Sequence, residues 1–433
     1  MTVPAIVLEI HTQLQTVNAK AIIVGGFVRD SVMKSPHSKD IDIEVYGLND
    51  IDALKNLLQP LASVHEVGRS FGVLKMSRDG YDLDISLPRL ESKTGRGHKG
   101  FSVVIDSSIS FEQASSRRDF TMNAIGYDLE LRSYLDPHGG RTDIDNHLIK
   151  MVNSESFIED PLRILRAVQF SARLDFSIES ETMLICQKMV DDKMLEELPK
   201  ERIYEELKKL LLRSKTPSIG FDVMNEMGAL FPELASLEKR DYHQTMMAVD
   251  FLAVDDIQEK EEKIVLMLAI LSHRFGKNDL KKVEDFIKRL SDEINLIKSI
   301  LPLVEQCGMP LKLYDENAED SAVLKLSTKV NISRLIKMAK ASYFGEKETL
   351  SGENTFEAGR WLEDKARSLD VLFQPPKPFL QGRDLIAVGL KPGLDFKEIL
   401  DKAYEKQLEG TFNNPFEAKS WLNESLSAIK RKR

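Results

Sequence analysis

Val24-Gly25-Gly26-Phe27-Val28-Arg29-Asp30, then a short polar loop, then Lys39-Asp40-Ile41-Asp42-Ile43-Glu44-Val45 is the stretch on which the fold turns. An apolar run closes on a double glycine, and a helix-like segment follows. Asp40 and Asp42 then alternate with Ile41 and Ile43. On a strand, residues two apart share a face, so the isoleucines turn toward a core and the aspartates stand together on the other side. Two like charges side by side are costly unless a cation neutralises them. Magnesium takes oxygen ligands and is usually held by one or two carboxylates plus substrate phosphates.

A second alternating strand, Tyr81-Asp82-Leu83-Asp84-Ile85-Ser86, supplies a third carboxylate. Asp84 is the choice there, with Asp82 in reserve. Three carboxylates on neighbouring strands suit a two-metal phosphoryl or nucleotidyl transfer. Asp40, Asp42 and Asp84 are thus the expected catalytic residues, and Asp40 and Asp42 the expected metal ligands. Gly25 and Gly26 lack Cβ atoms, so the backbone there can approach phosphates, and a following helix turns its N–H groups toward them. Arg29 would add charge to that grip. Taken singly, a DxD strand is also a charged outer face, and a double glycine is also a turn. Their order, with a second DxD strand behind them, favours a site.

The chain of 433 residues is long enough for several domains. Ala21–Val24, Ile41–Tyr46, Gly72–Met76 and Tyr81–Ser86 read as strands. Asn49–Leu58 reads as a helix with Asn49 at its N-cap. From about Asp160 the strand signal fades. Asp160–Leu174, Ser180–Val190 and Pro199–Arg213 carry helical periodicity, with Pro199 placed for a first helical position. Breaks are expected at 216–218 and 373–378. The expected fold class is α+β: a mixed sheet with helices at the N-terminal end, followed by an all-α remainder.

Further motifs follow in order. Leu87 to Phe101 reads LPRLESKTGRGHKGF. Ser116 to Ala124 reads SRRDFTMNA. Asp136-Pro137-His138-Gly139-Gly140 is followed by Asp143. Glu159 to Arg166 reads EDPLRILR, and Glu201 to Leu207 reads ERIYEEL. Together with the opening stretch, these resemble the class II tRNA nucleotidyltransferases (CCA-adding enzymes) and the bacterial poly(A) polymerases, within the polymerase-β-like nucleotidyltransferase superfamily. The resemblance covers roughly the first half of the chain. Gly382-Arg383-Asp384-Leu385-Ile386 with Gly389 to Gly393 also resembles the tail of CCA enzymes.

The resemblance implies a catalytic head over residues 1–150, a helical neck for nucleobase selection over 151–215, a helical body over 216–345 and a tRNA-binding tail over 346–433. It implies a two-metal Mg²⁺ site, CTP and ATP as substrates and the tRNA 3′ end as partner. Gly25, Gly26, Arg29, Arg117, Asp119, Asn123, Asp160, Arg163 and Arg166 become the expected nucleotide-binding residues. Arg117, Asp119 and Asn123 are expected on one helical stretch, with Asp119 accepting from a ribose hydroxyl. Arg166 would add a nucleotide contact, and Glu201 would brace the selection helix.

Asp160 and Arg163 are three apart on a helix and can face the same side. A carboxylate accepts hydrogen bonds and a guanidinium donates them. Cytosine and adenine both place an exocyclic amine beside a ring nitrogen acceptor; guanine and uracil reverse that order. An Asp–Arg pair at the right spacing therefore accepts C and A without a nucleic-acid template. The other reading is a plain helix start, with Asp160 as N-cap and Pro161 next.

The remaining numbers narrow the class. A net charge of −9 argues against indiscriminate nucleic-acid binding but allows local basic surface. Cys186 and Cys307 make no disulfide framework, and no CxxC is present, which points to a reducing, cytoplasmic setting. No signal peptide is read at the N-terminus. Ile264 to Leu271 is too short to span a bilayer, so no membrane association is expected; nor is an obligate protein partner.

Two departures from the family pattern stand out. Relatives with an HD-type phosphohydrolase domain carry a His-Asp pair, and here His273 is followed by Arg274. The expectation is a helical body without that activity, with His243 and His273 serving packing or surface roles. Gln169 stands where the family usually has arginine. Rival readings are a poly(A) polymerase, a CC-only or A-only enzyme, and a non-catalytic RNA-binding relative. A short basic end, Lys430 to Arg433, favours tRNA over poly(A) synthesis.

Overall fold

The computed structural model describes every residue except 37, 68–71, 94–100, 107, 278, 349–354 and 432–433. For 90–93, 101–105, 394–395 and 426–431 it describes the backbone alone. Most of the loop segment between Leu87 and Phe101 that carries a family motif therefore lies outside the described residues. The chain divides into two compact units, Met1–Phe231 and Pro232–Arg433.

The first unit carries the strands β1 (Lys20–Val24), β2 (Asp40–Tyr46), β3 (Val64–Val67), β4 (Val73–Arg78), β5 (Tyr81–Ser86), β6 (Arg89–Lys93), β7 (Phe101–Ile105), β8 (Gly126–Asp128) and β9 (Ser133–Leu135). Seven of them form one sheet in the order β3-β4-β5-β2-β1-β8-β9, and β6 pairs with β7 separately. Within the large sheet β2 and β5 run parallel, and the other neighbours run antiparallel. The alternating pattern does what its period requires. Ile41, Ile43 and Val45 of β2 and Leu83 and Ile85 of β5 are buried. So are Ile6, Val7, Ile10 and Leu14 of the helix Ala5–Gln15, and Leu54 and Leu58 of the helix Ile51–Leu58. The aspartates between the isoleucines are left on the opposite face.

The start of the helix Ile51–Leu58 differs from expectation. Its N-cap is Asp50, not Asn49, and the Asp50 carboxylate accepts from the Asp52 N–H at 3.0 Å. An aspartate adds favourable charge at that end of the helix. The segment 117–123 is also not one helical stretch. A short helix ends at Ser115, Phe120 is extended, and only Thr121–Asn123 closes a 3₁₀ turn. Phe120 is fully buried against Phe157 and Phe170, so tertiary packing overrides the local helical spacing.

Helices Ser154–Ile158, Leu162–Leu174, Ser180–Asp191, Lys200–Arg213 and Pro217–Glu226 complete the unit. Pro199 sits just before the helix Lys200–Arg213, at its N-cap. Leu162–Leu174 packs against both Lys200–Arg213 and Pro217–Glu226. Gly220 permits the close approach: a Cβ there would lie 2.5 Å from Leu210 Cδ1.

In the second unit the described residues are helical or irregular. Its centre is Lys260–Gly276, buried from Ile264 through Ser272 and packed by Lys239–Ala253, Ile294–Gln306 and Ile332–Glu346. Arg274 donates to Asp241 at 2.9 Å and to Glu346 at 3.1 Å, bridging two of those neighbours. His243 is exposed. The His273 Nδ1 is buried without a partner, and burial, with Arg274 and Lys277 nearby, pushes that imidazole down to about 4. A neutral histidine beside an ion-paired arginine agrees with a packing role. The helices Gly382–Ala387, Leu394–Leu408 and Pro415–Arg431 gather around Leu380, Leu385, Ala403, Phe412, Ala418 and Leu422. Among the described residues no helix is long and apolar enough to cross a membrane.

Candidate active site

The parallel pairing of β2 with β5 sets Asp42 opposite Asp84 and Asp40 opposite Asp82. Four carboxylates thus share one sheet face. They are not equivalent. Asp42 and Asp84 line a cavity of about 400 Å³ with Glu44, Ser86, Arg89, Arg117 and Arg118. Asp40 does not line the cavity and takes a hydrogen bond from Ser38 Oγ at 3.2 Å. Asp82 accepts from Ser77 Oγ at 2.5 Å, and Asp84 pairs with Lys75 at 3.1 Å.

Glu44 is two residues beyond Asp42 and so joins the same face. It binds Arg118 Nη2 at 2.5 Å and accepts from Tyr46 Oη at 2.9 Å. Desolvation raises the Asp42 pKa, Arg118 opposes that shift, and Asp84, Glu44 and Asp40 add to it. The group is accessible from the cavity, yet the protein around it and the neighbouring negative charges disfavour its ionised form.

Gly25 closes the site from the β1 side. Its φ of +74° suits glycine, and a Cβ there would come within 2.8 Å of Asp42 Oδ2 and 3.6 Å of Arg118 Nη1. The glycine is required because a carboxylate fills the space a side chain would take. Gly26 begins the helix Gly26–Val32.

A buried polar chain links Arg29, Asn123 and Asp119. Arg29 is 3% exposed. It donates to Asp30 Oδ1 from Nε at 2.9 Å and from Nη2 at 2.5 Å, and to Asn123 Oδ1 at 2.9 Å. Asn123 passes the chain on to Asp119 Oδ1 at 3.1 Å. Asp119 Oδ1 also accepts from the Phe120 N–H at 2.8 Å, and Oδ2 takes Arg166 Nε at 2.7 Å and Nη2 at 2.5 Å. Burial alone would raise the Asp119 pKa; Arg166 and Asn123 reverse the sign and hold it below the usual carboxylate value. Arg29 and Arg166 each lie over the Phe170 ring, at 5.2 and 5.4 Å. Arg29 therefore sits away from the cavity, inside a structural network.

The selection residues are placed differently from the expected pair. Asp160 accepts from the Leu162 N–H at 3.2 Å and pairs with Arg202 at 3.2 Å. Arg163 instead donates to the Ser156 carbonyl at 2.8 Å and the Arg117 carbonyl at 2.6 Å. Asp160 thus bonds the first helical N–H from just outside the helix, whose N-cap is Pro161, and the arginine that holds it comes from the next helix. Glu201, expected as the brace, is exposed, and its neighbour Arg202 makes that contact. Arg117 Nη1 reaches the Arg89 carbonyl at 3.0 Å on the cavity wall. Gln169 is 2% exposed, and its Oε1 has no hydrogen-bond partner.

Sequence reasoning passed over Glu44, Arg118, Arg202 and Glu206. The alternation that selects Asp40 and Asp42 also selects Glu44. Arg118 stands beside Asp119 in the same motif. Nothing local distinguishes Arg202 from Glu201, because the helix rotation that turns one inward comes from packing.

Residues 21–150 match the poly A polymerase head domain family, and residues 175–237 match the probable RNA and SrmB-binding site of polymerase A. A multifunctional CCA protein of Acinetobacter baumannii (strain AYE) is 32% identical over 300 residues, covering 66% of this chain and 70% of that protein. A CCA-adding enzyme of Buchnera aphidicola is 33% identical over 326 residues, 73% of this chain and 75% of its own. The Bacillus stearothermophilus CCA-adding enzyme, solved in complex with CTP, shares the fold with a TM-score of 0.73 at 23% identity, over 99% of this chain and 98% of that one. The carboxylate face, the motif order and these relatives lead to one conclusion: the chain belongs to the CCA-adding family of nucleotidyltransferases, built on the poly A polymerase head domain.

Proposed function

We propose that this chain adds the 3′-terminal C, C and A to tRNA from CTP and ATP without a nucleic-acid template. The RNA 3′-hydroxyl attacks the nucleotide α-phosphate, and pyrophosphate leaves. The observation that carries this reading is the pairing of Asp42 with Asp84 at the wall of a cavity that Arg117 and Arg118 also line.

The residues present fit magnesium. All the donors are oxygens, burial and then the neighbouring carboxylates raise the Asp42 pKa, and Gly25 leaves Asp42 Oδ2 the room it occupies. Among the described residues no three or more His, Cys, Asp or Glu side chains are grouped so as to hold a metal by themselves. Asp40 and Asp42, with Asp84, would hold two Mg²⁺ ions; when bound, these supply positive charge to the attacking and leaving oxygens.

The protein's own groups do the rest. Gly25 and Gly26 bring their backbone to the triphosphate, Gly25 also giving the Asp42 carboxylate its space. Arg117 and Arg118 face the cavity with positive charge. Asp160 and Arg163 read the base and Asp119 the ribose, with Arg166 held on Asp119 beside the nucleotide site. Arg29 acts through Asn123 as a positioning residue. Residues 1–150 carry the chemistry, 151–215 select the base, 216–345 form the body, and 346–433 grip tRNA through its backbone and shape. The buried, unpaired Cys186 and Cys307 support a cytoplasmic setting.

Purified protein with Mg²⁺ and each of the four NTPs tests this on tRNA lacking CCA, tRNA lacking the terminal A, and an unrelated RNA. C, C and A on the tRNAs alone, lost in D40A/D42A, is the expected result. Long A tails on any RNA would make it a poly(A) polymerase, and addition stopping at CC or confined to A would make it a partial enzyme. No incorporation despite tRNA binding would leave a binding protein.

A further inference from the structure

Both carboxylate oxygens of Asp119 are engaged. A carboxylate offers about four lone-pair positions. Oδ1 accepts from the Phe120 N–H and Asn123 Nδ2, and Oδ2 accepts from Arg166 Nε, with Nη2 in ion-pair contact beside it. Of these, the backbone N–H cannot leave, and Asn123 is tied behind by Arg29. Arg166 is the one partner on a long side chain that can swing, and it is the most exposed member of the group, at 31% for its side chain. A ribose hydroxyl can reach Asp119 Oδ2 only by displacing Arg166.

A displaced guanidinium needs another anion, because a charge left alone in the interior is strongly disfavoured. The structure holds one nearby. Glu206, on the helix Lys200–Arg213, is 3% exposed; its Oε1 takes Lys209 at 2.7 Å, while its Oε2 is buried without a hydrogen-bond partner. Glu206 lines a small cavity with Ile203 of its own helix, Leu165 and Val168 of the helix that carries Arg166, and Met224 of the helix Pro217–Glu226. Glu206 also contributes to the electrostatic environment of the Arg166 guanidinium, second only to Asp119 among the charged groups that favour it.

We infer that Arg166 is handed from Asp119 to Glu206 when the nucleotide sugar docks, so that Glu206 is a positioning residue for ribose recognition. This rests on the nucleotidyltransferase reading of the same site. In the empty site Asp119 holds Arg166. A ribose hydroxyl takes over Oδ2, and Arg166 moves to the waiting Oε2. A 2′-deoxynucleotide that lacks the incoming donor leaves Arg166 on Asp119 and the site in its resting form. Discrimination between ribose and deoxyribose thus depends on a carboxylate that never touches the nucleotide.

The test compares CTP with 2′-deoxy-CTP in single-nucleotide addition to tRNA lacking CCA, for the wild type, E206Q and E206D. The expected result is a CTP KM about tenfold higher in E206Q with dCTP kinetics unchanged, so that the CTP/dCTP ratio of kcat/KM collapses, and recovery of much of that ratio in E206D. An equal loss for both nucleotides, or an unchanged ratio with intact folding, overturns the inference. Circular dichroism and thermal melting check folding; if E206Q does not fold, the same ratio measured in R166K decides, with a collapse supporting the exchange and an unchanged ratio overturning it. Failure of the wild type to add any nucleotide would instead overturn the underlying enzyme reading.

Discussion

Asp42 of β2 and Asp84 of β5 stand directly opposite each other across the one parallel pairing in the large sheet. Parallel pairing keeps both side chains on the same face. It converts two separate DxD patterns into one negatively charged wall. Asp40 and Asp82 form the next rung, but Asp82 is satisfied by Ser77 and neither lines the cavity.

That asymmetry separates the two candidates on β5. Asp84→Asn should reduce nucleotide incorporation by at least about 10³-fold, in keeping with loss of a group that stabilises developing charge. Asp82→Asn should stay within about tenfold of the wild type. Steady-state incorporation on tRNA lacking CCA measures both. Equal losses would mean that Asp82 and Asp84 share the role.

Gly25→Ala should damage the site and the fold together. Its backbone lies at φ +74° and ψ −142°, a region nearly closed to other residues, at a cost of about 1–3 kcal/mol. The added Cβ also falls 2.8 Å from Asp42 Oδ2 and would push that carboxylate aside. A drop in melting temperature with near-complete loss of incorporation is the expected outcome. A stable, active variant would show that the tight approach has no role.

Asp42 and Asp119 should respond to neutralisation with opposite signs. The Asp42 pKa is raised in the folded state, so its ionisation destabilises the fold as pH rises above the ordinary carboxylate value of 3.8. Asp42→Asn should therefore melt higher than the wild type at neutral pH without added metal, while losing activity. The Asp119 pKa is lowered, so its contribution is present above 3.8 and is lost as pH falls from there through the folded-state value. Asp119→Asn should cost about 1–3 kcal/mol at neutral pH, because Arg166 loses its paired carboxylate and keeps Glu206 as its remaining charged neighbour. Thermal melts between pH 3 and 7 read both, with the Asp119 difference narrowing in acid.

Arg274→Met should remove the bridge from Asp241 to Glu346. Both carboxylates are roughly half exposed, so the loss should be small, about 1 kcal/mol. Melting temperature should fall by a few degrees while the CTP KM stays unchanged. The wild type should show no metal-dependent phosphohydrolase activity, since a guanidinium pairs with the carboxylates there.

The residues on the strands were legible because their signal is local. A period of two names Asp40, Asp42, Asp84 and, read one step further, Glu44, whatever the rest of the chain does. The selection helix was half legible. Its position follows from periodicity, but the partners of Asp160 and Arg163 do not, because Arg202, Ser156 and Arg117 reach them from other segments. The stretch from Arg117 to Asn123 misled for the same reason: helical spacing is present, but burying Phe120 against Phe157 and Phe170 demands an extended turn.

By itself, the sequence determined which carboxylates share a face, where glycine must replace a side chain, and that helices follow a mixed sheet. Those features depend on backbone period and on steric rules that act over a few residues. Only the tertiary structure decided that Arg29 faces inward, that Asp119 is ion-paired with Arg166, and that Glu206 keeps a buried oxygen in reserve. Ion pairs between distant segments depend on which helix faces pack together. That choice is made by burial of the whole unit, and no short window of sequence contains it.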